Sequence, residues 1–113
     1  MSADKPDAVV LDRLYQTIVS RRGGDPEQSY TARLFAKGRQ KIARKVGEEA
    51  IEVVVAAISE TPERLADESA DVLYHLLVLW AEAGLQPDAV WAKLAAREGI
   101  SGLAEKKARS KGA

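Results

Sequence analysis

The fold of this chain is decided by Lys45-Val-Gly-Glu-Glu-Ala-Ile-Glu52 and, further along, by Glu68-Ser-Ala-Asp-Val-Leu-Tyr-His-Leu-Leu-Val-Leu79. Each stretch carries two acidic residues spaced i,i+3, and on a helix such residues project from one face. The pairs are Glu49 with Glu52 and Glu68 with Asp71, and fifteen residues separate them. That gap suits two helices joined by a turn. If these helices pack antiparallel, the pairs face each other, and Glu48 adds a fifth carboxylate.

Elsewhere in the chain, apolar residues recur at helical spacing, and turn residues separate these helical segments. Ser29 and Thr61 are predicted helix caps, and Gly84 is a predicted helix stop. No segment alternates in the manner of a half-buried strand. We therefore predict an all-α bundle of four to five helices. The first predicted helix begins at about Val9 and ends at the Gly23-Gly24 stop, and the others cover about 32–37, 39–59, 62–83 and 87–99.

The two long helices are expected to be buried to different extents. The run from Val72 to Trp80 leaves almost no polar face, and a helix that is apolar all round is buried all round. So short a chain can hardly enclose one of its helices completely, so we expect the 62–83 helix to lie also in the interface of a homodimer that completes the bundle. The 39–59 helix is expected to bury one face only. That face comprises Ile42, Val46, Ala50, Val53, Val54 and Ala57.

Composition excludes several classes of protein. The 113 residues include 17 basic and 17 acidic side chains, so no net charge favours nucleic acid or a membrane surface. The lack of cysteine excludes disulfides, zinc fingers and thiol nucleophiles. No apolar leader and no run long enough to span a bilayer is present. We expect a soluble, cytoplasmic protein with a single domain over 1–113, flexible at 1–7 and at about 108–113.

The acidic pairs allow two interpretations. In the first they belong to a charged face that points at water. In the second they hold a metal ion, which Glu68 and Asp71 favour because they come immediately before an apolar run. Carboxylates at a buried helix interface need a cationic partner, and oxygen ligands without His or Cys suit Mg²⁺ or Mn²⁺. A further carboxylate could then orient or deprotonate an attacking water.

Neighbouring residues support the interpretation of the acidic pairs as a metal site. A metal site flanked by cations suits a polyphosphate, whose charge exceeds what one divalent ion neutralises. Gly47, inside a helix, indicates close approach of another helix or a ligand. His75 is expected to be a core or interface histidine, and a single histidine excludes a di-iron bundle. The basic residues that precede Gly47 are Arg33, Lys37, Arg39, Lys41, Arg44 and Lys45.

The acidic motif resembles that of the all-α nucleoside-triphosphate pyrophosphohydrolases, the superfamily that includes MazG and the dimeric dUTPases. A closer resemblance, to the phosphoribosyl-ATP pyrophosphohydrolase family, covers about 11–109. It is carried by both stretches quoted above together with Ser29-Tyr30-Thr31 and Ser101-Gly-Leu-Ala-Glu-Lys106. The resemblance implies a MazG-like bundle and a hydrolase that converts phosphoribosyl-ATP to phosphoribosyl-AMP and pyrophosphate, the second step of histidine biosynthesis. The cysteine ligands of a fused cyclohydrolase are absent, so one step is expected.

The resemblance also implies roles for individual residues. Glu48 and Glu49 are the catalytic candidates, and which of them is the base stays open. The phosphate-contacting candidates are Lys41 and Lys45, with Ser29 and Thr31 as hydroxyl donors. Lys106, in the small and basic tail around Ser101 and Gly102, is the candidate for the additional phosphate of the substrate. The implied ligands of Mg²⁺, or of Mn²⁺ in its place, are Glu49, Glu52, Glu68 and Asp71.

Two rival functions remain from the residues alone. One is a related pyrophosphohydrolase that clears noncanonical nucleotides, which would share the metal chemistry but would not need the Ser-Tyr-Thr segment or the Ser-Gly tail. The other is a non-catalytic helical adaptor, which would leave both acidic pairs unexplained. The expected partners are the small-molecule substrate and a second copy of the chain, with no nucleic acid and no membrane.

Overall fold

A computed structural model describes residues 5–99 of the chain, and every regular element within that range is a helix. The predicted all-α fold and its four to five helices are confirmed. The predicted role of Lys106 and the predicted flexibility of about 108–113 concern residues outside the described range, as does most of the segment 1–7. The helices are α1 (Val9–Ser20), α2 (Tyr30–Lys37), α3 (Arg39–Ser59), α4 (Pro62–Ala83) and α5 (Pro87–Ala95).

The predicted boundary residues act as expected at most helix ends. The Ser29 hydroxyl accepts a hydrogen bond from the Ala32 N–H at the start of α2, and the Thr61 hydroxyl accepts one from the Arg64 N–H at the start of α4. Gly84 ends α4 in the left-handed conformation, with φ of 74°, where a side chain would be strained. The end of α5 was predicted wrongly at residue 99. The helix stops at Ala95, because beyond it the chain tightens into i→i−3 turns such as Glu98 N–H to the Ala95 carbonyl.

The α3–α4 hairpin is the central unit of the fold. Only Glu60 and Thr61 separate the two long helices, which pack against each other more extensively than any other pair of elements. So short a link makes them antiparallel. Residues equidistant from the turn therefore lie opposite each other, and this brings the acidic pair of α3 to the acidic pair of α4.

The core lies at the end of this hairpin that is remote from the turn. There α1 packs on α4, and α2 packs on both long helices. The Tyr15 hydroxyl donates a 2.9 Å hydrogen bond to the Leu85 carbonyl, which fixes α1 to the end of α4. Burial of these apolar side chains, each contributing about 1.5–3 kcal/mol, is the main stabilising term at this end. The buried cluster comprises Tyr15, Ile18, Leu34, Ile42, Leu77, Val78 and Ala81.

The predicted core face of α3 is partly wrong. Ile42 is fully buried, but Val54 is 52 % exposed, and Ala50 and Ala57 are exposed as well. The residue that is buried near the turn is Ala56, at 1 % exposure. The stripe that meets α4 follows the helical repeat from Ile42 to Ala56, with Val46 and Val53 half-buried along it. Val54 and Ala57 lie on other flanks, which the described chain leaves uncovered.

Most of α4 is covered within the single chain. Leu77, Val78 and Ala81 are buried, most of its other apolar residues are half-buried, and Leu73 remains 42 % exposed. The described chain thus buries more of this helix than the apolar run predicted. Whether α4 also contacts a second subunit stays a prediction. Among residues 5–99, no helix combines the length and the apolar character that crossing a membrane requires.

Candidate active site

Three of the predicted metal ligands converge at the middle of the α3–α4 hairpin. Glu49 from α3 and Glu68 and Asp71 from α4 each place one carboxylate oxygen so that all three oxygens lie within 4.8 Å of one another. Glu68 is buried, Glu49 is half-buried and Asp71 is exposed. The antiparallel packing therefore produces the convergence that the spacing predicted. The set consists of hard oxygen donors with one side open to solvent, which suits Mg²⁺ or Mn²⁺.

The negative charge of Glu68 is unfavourable in the folded chain. Burial raises the pKa of its carboxyl above the ordinary value. The Arg64 guanidinium, 2.8 Å from Glu68 Oε2, acts in the opposite direction, and the charges of Asp71, Glu52 and Glu49 raise the pKa further. Burial and repulsion together outweigh the single arginine. A cation bound among these carboxylates would remove the repulsion.

The remaining acidic candidates lie beside this group of three. Glu52 is exposed one turn after Glu49 and is not among the three converging residues, yet it is near enough for its charge to raise the pKa of Glu68. Glu48 has a side chain that is 53 % exposed, and its Oε1 lies 3.5 Å from Lys45 Nζ. The roles of Glu52 as a ligand and of Glu48 as a base stay predictions.

Lys45 lies beside the acidic group on α3. Its Nζ lies 3.7 Å from Glu49 Oε2, and its side chain is only 25 % exposed. Partial burial lowers the pKa of Lys45, but Tyr30, Glu49 and Glu48 raise it more, so that the net shift is upward. Lys45 is thus a firmly charged cation at the edge of the carboxylates. Lys41, the other phosphate-contacting candidate, is half-buried one turn earlier on α3.

The two hydroxyl candidates on α2 already have structural partners. Ser29 caps α2, and Thr31 is buried and hydrogen bonded to the Tyr74 hydroxyl. Tyr30, between them, is 48 % exposed and places its hydroxyl 3.2 Å from His75 Nε2. Substrate contacts by Ser29 and Thr31 stay predictions. Lys106, the remaining substrate candidate, lies outside the described residues.

Sequence reasoning missed two residues of this region, Arg64 and Tyr30. Arg64 precedes Glu68 by four residues on α4, and this i,i+4 spacing alone was enough to indicate their ion pair. Tyr30 carried no such signal, because its contact with His75 joins residues 45 positions apart. His75 itself is a core histidine, as expected, at 5 % exposure.

Gly47 does not mark a helix contact within the described chain. A methyl group at this position would have no neighbour within 4 Å, so the close approach of another helix of the same chain, one of the two predicted explanations, is wrong. The other explanation, a bound ligand, stays a prediction. Gly47 lies between Lys45 and Glu48 on α3, so open space borders the charged residues here.

Comparisons with known proteins agree with this geometry. A family model described as phosphoribosyl-ATP pyrophosphohydrolase matches residues 11–98, which include all the acidic residues discussed above. A phosphoribosyl-ATP pyrophosphatase of Azospirillum brasilense is 62 % identical over 109 residues, covering 96 % of this chain and 98 % of the relative. Proteins of the same name from Paramagnetospirillum magneticum and Rhodospirillum rubrum are 61 % and 58 % identical, over 93 % and 94 % of this chain and 96 % and 91 % of their own lengths.

Proposed function

The chain belongs to the phosphoribosyl-ATP pyrophosphohydrolase family, and on that premise we propose that it hydrolyses phosphoribosyl-ATP to phosphoribosyl-AMP and pyrophosphate in histidine biosynthesis. The observation that supports this most strongly is the convergence of Glu49, Glu68 and Asp71 in the middle of the α3–α4 hairpin. An adaptor would gain nothing from a buried carboxylate with two acidic neighbours, whose repulsion costs stability. As an enzyme of a biosynthetic pathway, the protein would work in the cytoplasm.

We further propose that the activity depends on Mg²⁺, held by the three converging carboxylates together with Glu52. The donor set fits, because all four groups are oxygen ligands and the exposed side of Asp71 leaves room for phosphate oxygens. Bound Mg²⁺ would supply positive charge that stabilises the phosphate oxygens as the phosphoanhydride breaks.

The side chains around this centre have complementary tasks in the proposed reaction. Lys45 and Lys41 bind phosphate oxygens of the substrate and hold the phosphoanhydride beside the carboxylates. A water oxygen forms a new bond to phosphorus as the bridging P–O bond between the α and β phosphates breaks. The proton of that water passes to a carboxylate, and Glu48 and Glu49 are the two candidates. Pyrophosphate leaves with the electron pair of the broken bond.

Pyrophosphate release tests the proposal directly. The assay compares phosphoribosyl-ATP with ATP and dUTP, each with Mg²⁺ and with excess chelator. We expect release from phosphoribosyl-ATP alone at an appreciable rate, and only with the metal. Equal turnover of ordinary triphosphates would favour an enzyme that clears noncanonical nucleotides, and no release from any substrate would favour the adaptor.

We also propose that the protein is a homodimer. The support is a stripe on the outer side of α3, formed by Ile51, Val54, Val55 and Ile58, whose exposures range from 42 % to 80 %. These positions repeat with helical spacing and form a continuous apolar face, which a soluble monomer rarely exposes. Light scattering is expected to give twice the mass of the chain, and a monomeric mass at micromolar concentration would contradict the proposal.

A further inference from the structure

Arg64 is the basic side chain that contacts the buried carboxylate of the candidate metal centre. Its Nη2 donates a hydrogen bond to Glu68 Oε2 over 2.8 Å, the short distance typical of a bond between two charged groups. Among residues 5–99, no other basic side chain lies within ion-pair distance of Glu68. Because Glu68 is buried, this bond fixes the place of one of its two carboxylate oxygens.

The guanidinium group of Arg64 is itself held by two further carboxylates. Its Nη1 lies 3.3 Å from Asp67 Oδ2, and its Nε lies 3.7 Å from Glu60 Oε1. The backbone is held as well, because the Thr61 hydroxyl accepts a hydrogen bond from the Arg64 N–H. Each of the three guanidinium nitrogens thus faces a different carboxylate. A planar group fixed at several points presents its N–H donors in a defined direction.

The stability of the helix alone does not account for this arrangement. Arg64 lies in the first turn of α4, where the helix dipole disfavours a cation. Its partners Asp67 and Glu60 are exposed, and ion pairs between exposed side chains contribute little to stability. The bond to Glu68 differs from these two pairs, because Glu68 is buried and belongs to the three converging carboxylates.

A guanidinium group beside the candidate centre also repels a metal ion, so the balance of charges matters. The carboxylates of Asp67 and Glu60 offset the charge of Arg64, and neither belongs to the converging group. The hydrogen bond from Arg64 occupies Glu68 Oε2 and leaves Oε1 available to a metal ion. The geometry therefore favours support of metal binding over competition for the same oxygen.

We propose that Arg64 is a positioning residue which, by donating to Glu68 Oε2, orients the buried carboxylate so that Oε1 binds the metal ion. This inference rests on the proposed Mg²⁺ site and adds one residue to it. Removal of such an outer partner typically lowers metal affinity about 10–100-fold. Two other accounts are possible: Arg64 competes with the metal ion for Glu68, or it only stabilises the start of α4.

The first test is calorimetric titration of Mg²⁺ into the wild type and two Arg64 variants. Arg64→Met removes both the donor and the charge, and it should weaken Mg²⁺ binding about 10–100-fold. Arg64→Gln lacks the charge but has amide N–H donors that can reach a residue one turn further along the helix. It should recover most of the lost affinity. Far-UV circular dichroism should show unchanged helix content in both variants, because Arg64 is exposed.

Every other result of the titration overturns the proposal and identifies the alternative. Tighter Mg²⁺ binding by Arg64→Met would show competition, and unchanged binding would show a structural role only. Equal weakening in Arg64→Met and Arg64→Gln would show that the charge matters and the hydrogen bond does not. Absence of Mg²⁺ binding in the wild type itself would remove the proposed metal site together with this inference, which distinguishes it from a failure seen only in the variants.

Thermal unfolding gives a second readout that needs no activity. Mg²⁺ that binds only the folded chain raises Tm, and at a fixed concentration the increase depends on its affinity. The difference in Tm between Mg²⁺ and excess chelator should be smaller in Arg64→Met than in the wild type, and Arg64→Gln should restore it. Arg13→Met, which removes the same charge from an exposed position of α1, is the matched control and should behave as the wild type. Equal differences in all four proteins would overturn the proposal.

Discussion

The two ends of the α3–α4 hairpin are built from similar apolar residues but differ in what covers them. At the end remote from the turn, Ile42 and Val78 are completely buried beneath α1 and α2. Near the turn, Val55 and Ile58 are exposed, Ile58 at 80 %, and no described helix packs over them. The carboxylates of Glu49, Glu68 and Asp71 lie between these ends.

The parts of this one pair of helices therefore have different roles: the covered end stabilises the fold, and the rest of the hairpin carries the candidate functional surfaces. The covered end has the packing of a domain core and fixes the register of α3 against α4. That register in turn sets which acidic residues meet in the middle of the hairpin. The uncovered end adds little buried apolar surface to the single chain, and it is the region where the proposed second copy of the chain would bind. Each end of the hairpin can therefore be tested by its own substitution.

The largest change in stability is expected at the covered end. Ile42→Ala should lower the free energy of unfolding by about 2–5 kcal/mol, because it removes buried methylene groups and leaves a cavity. Val54→Ala, on the exposed flank of the same helix, is the matched control and should cost less than about 0.5 kcal/mol in the monomeric chain. Urea denaturation measures both changes in an Ile58→Glu background, which is expected to keep the chain monomeric, and equal losses would contradict the proposed division of the hairpin.

The uncovered end is tested by Ile58→Glu. The side chain points into solvent in the single chain, so the variant should fold with unchanged helix content. In a dimer that buries this stripe, an unpaired carboxylate would weaken association by about 3–5 kcal/mol, the usual result of leaving a buried charge without a partner. Light scattering over a dilution series should then show a monomer. A variant that dimerises as tightly as the wild type would exclude this face as the interface.

The sequence predicted those features of the hairpin that depend on local signals. Thr61 with Pro62 and the left-handed Gly84 fixed both ends of α4, and the i,i+3 spacing predicted that acidic residues would meet. It did not predict which flank of α3 faces α4, because this helix carries apolar residues on several sides. Ala56 is buried and Val54 is not, and only the packing of the other helices decides between them.

In the middle of the hairpin, too, the sequence predicted only part of the arrangement. The spacing brought Glu49, Glu68 and Asp71 together, but it could not show that Glu52 would remain outside the closest group. The contact of Tyr30 with His75 depends on where α2 packs, which no local pattern encodes. The ion pair of Arg64 with Glu68, by contrast, follows from their i,i+4 spacing on α4 and was predictable from the sequence.

A smaller effect is expected from Glu68→Gln in the metal-free protein. The pKa of Glu68 is raised, so its charged form destabilises the fold above that pKa, and this cost disappears as the pH falls through it. The Tm of the chelated wild type should therefore rise relative to that of Glu68→Gln as the pH is lowered from neutrality through this raised pKa. Glu63→Gln, in the exposed first turn of α4, is the control for general acid effects. Parallel Tm curves for the wild type and Glu68→Gln would refute the assignment.

The smallest expected effect is that of Gly47→Ala. A methyl group meets nothing within 4 Å, so the variant should gain about 0.5–1 kcal/mol of stability from the better helix propensity of alanine. Chemical denaturation measures this gain, and a loss of stability would contradict the open space seen here. An accompanying rise in KM would support the prediction that a ligand passes close to Gly47.

Calorimetric titration of Mg²⁺ tests the central claim, that the carboxylates in the middle of the hairpin form the catalytic metal site. The wild type and Glu63→Gln should each show one saturable binding process. Asp71→Asn should remain folded yet lose affinity by more than the 10–100-fold typical of residues that only support a ligand, and pyrophosphate release should fall with it. Wild-type Mg²⁺ affinity and wild-type turnover of phosphoribosyl-ATP in Asp71→Asn would contradict the claim.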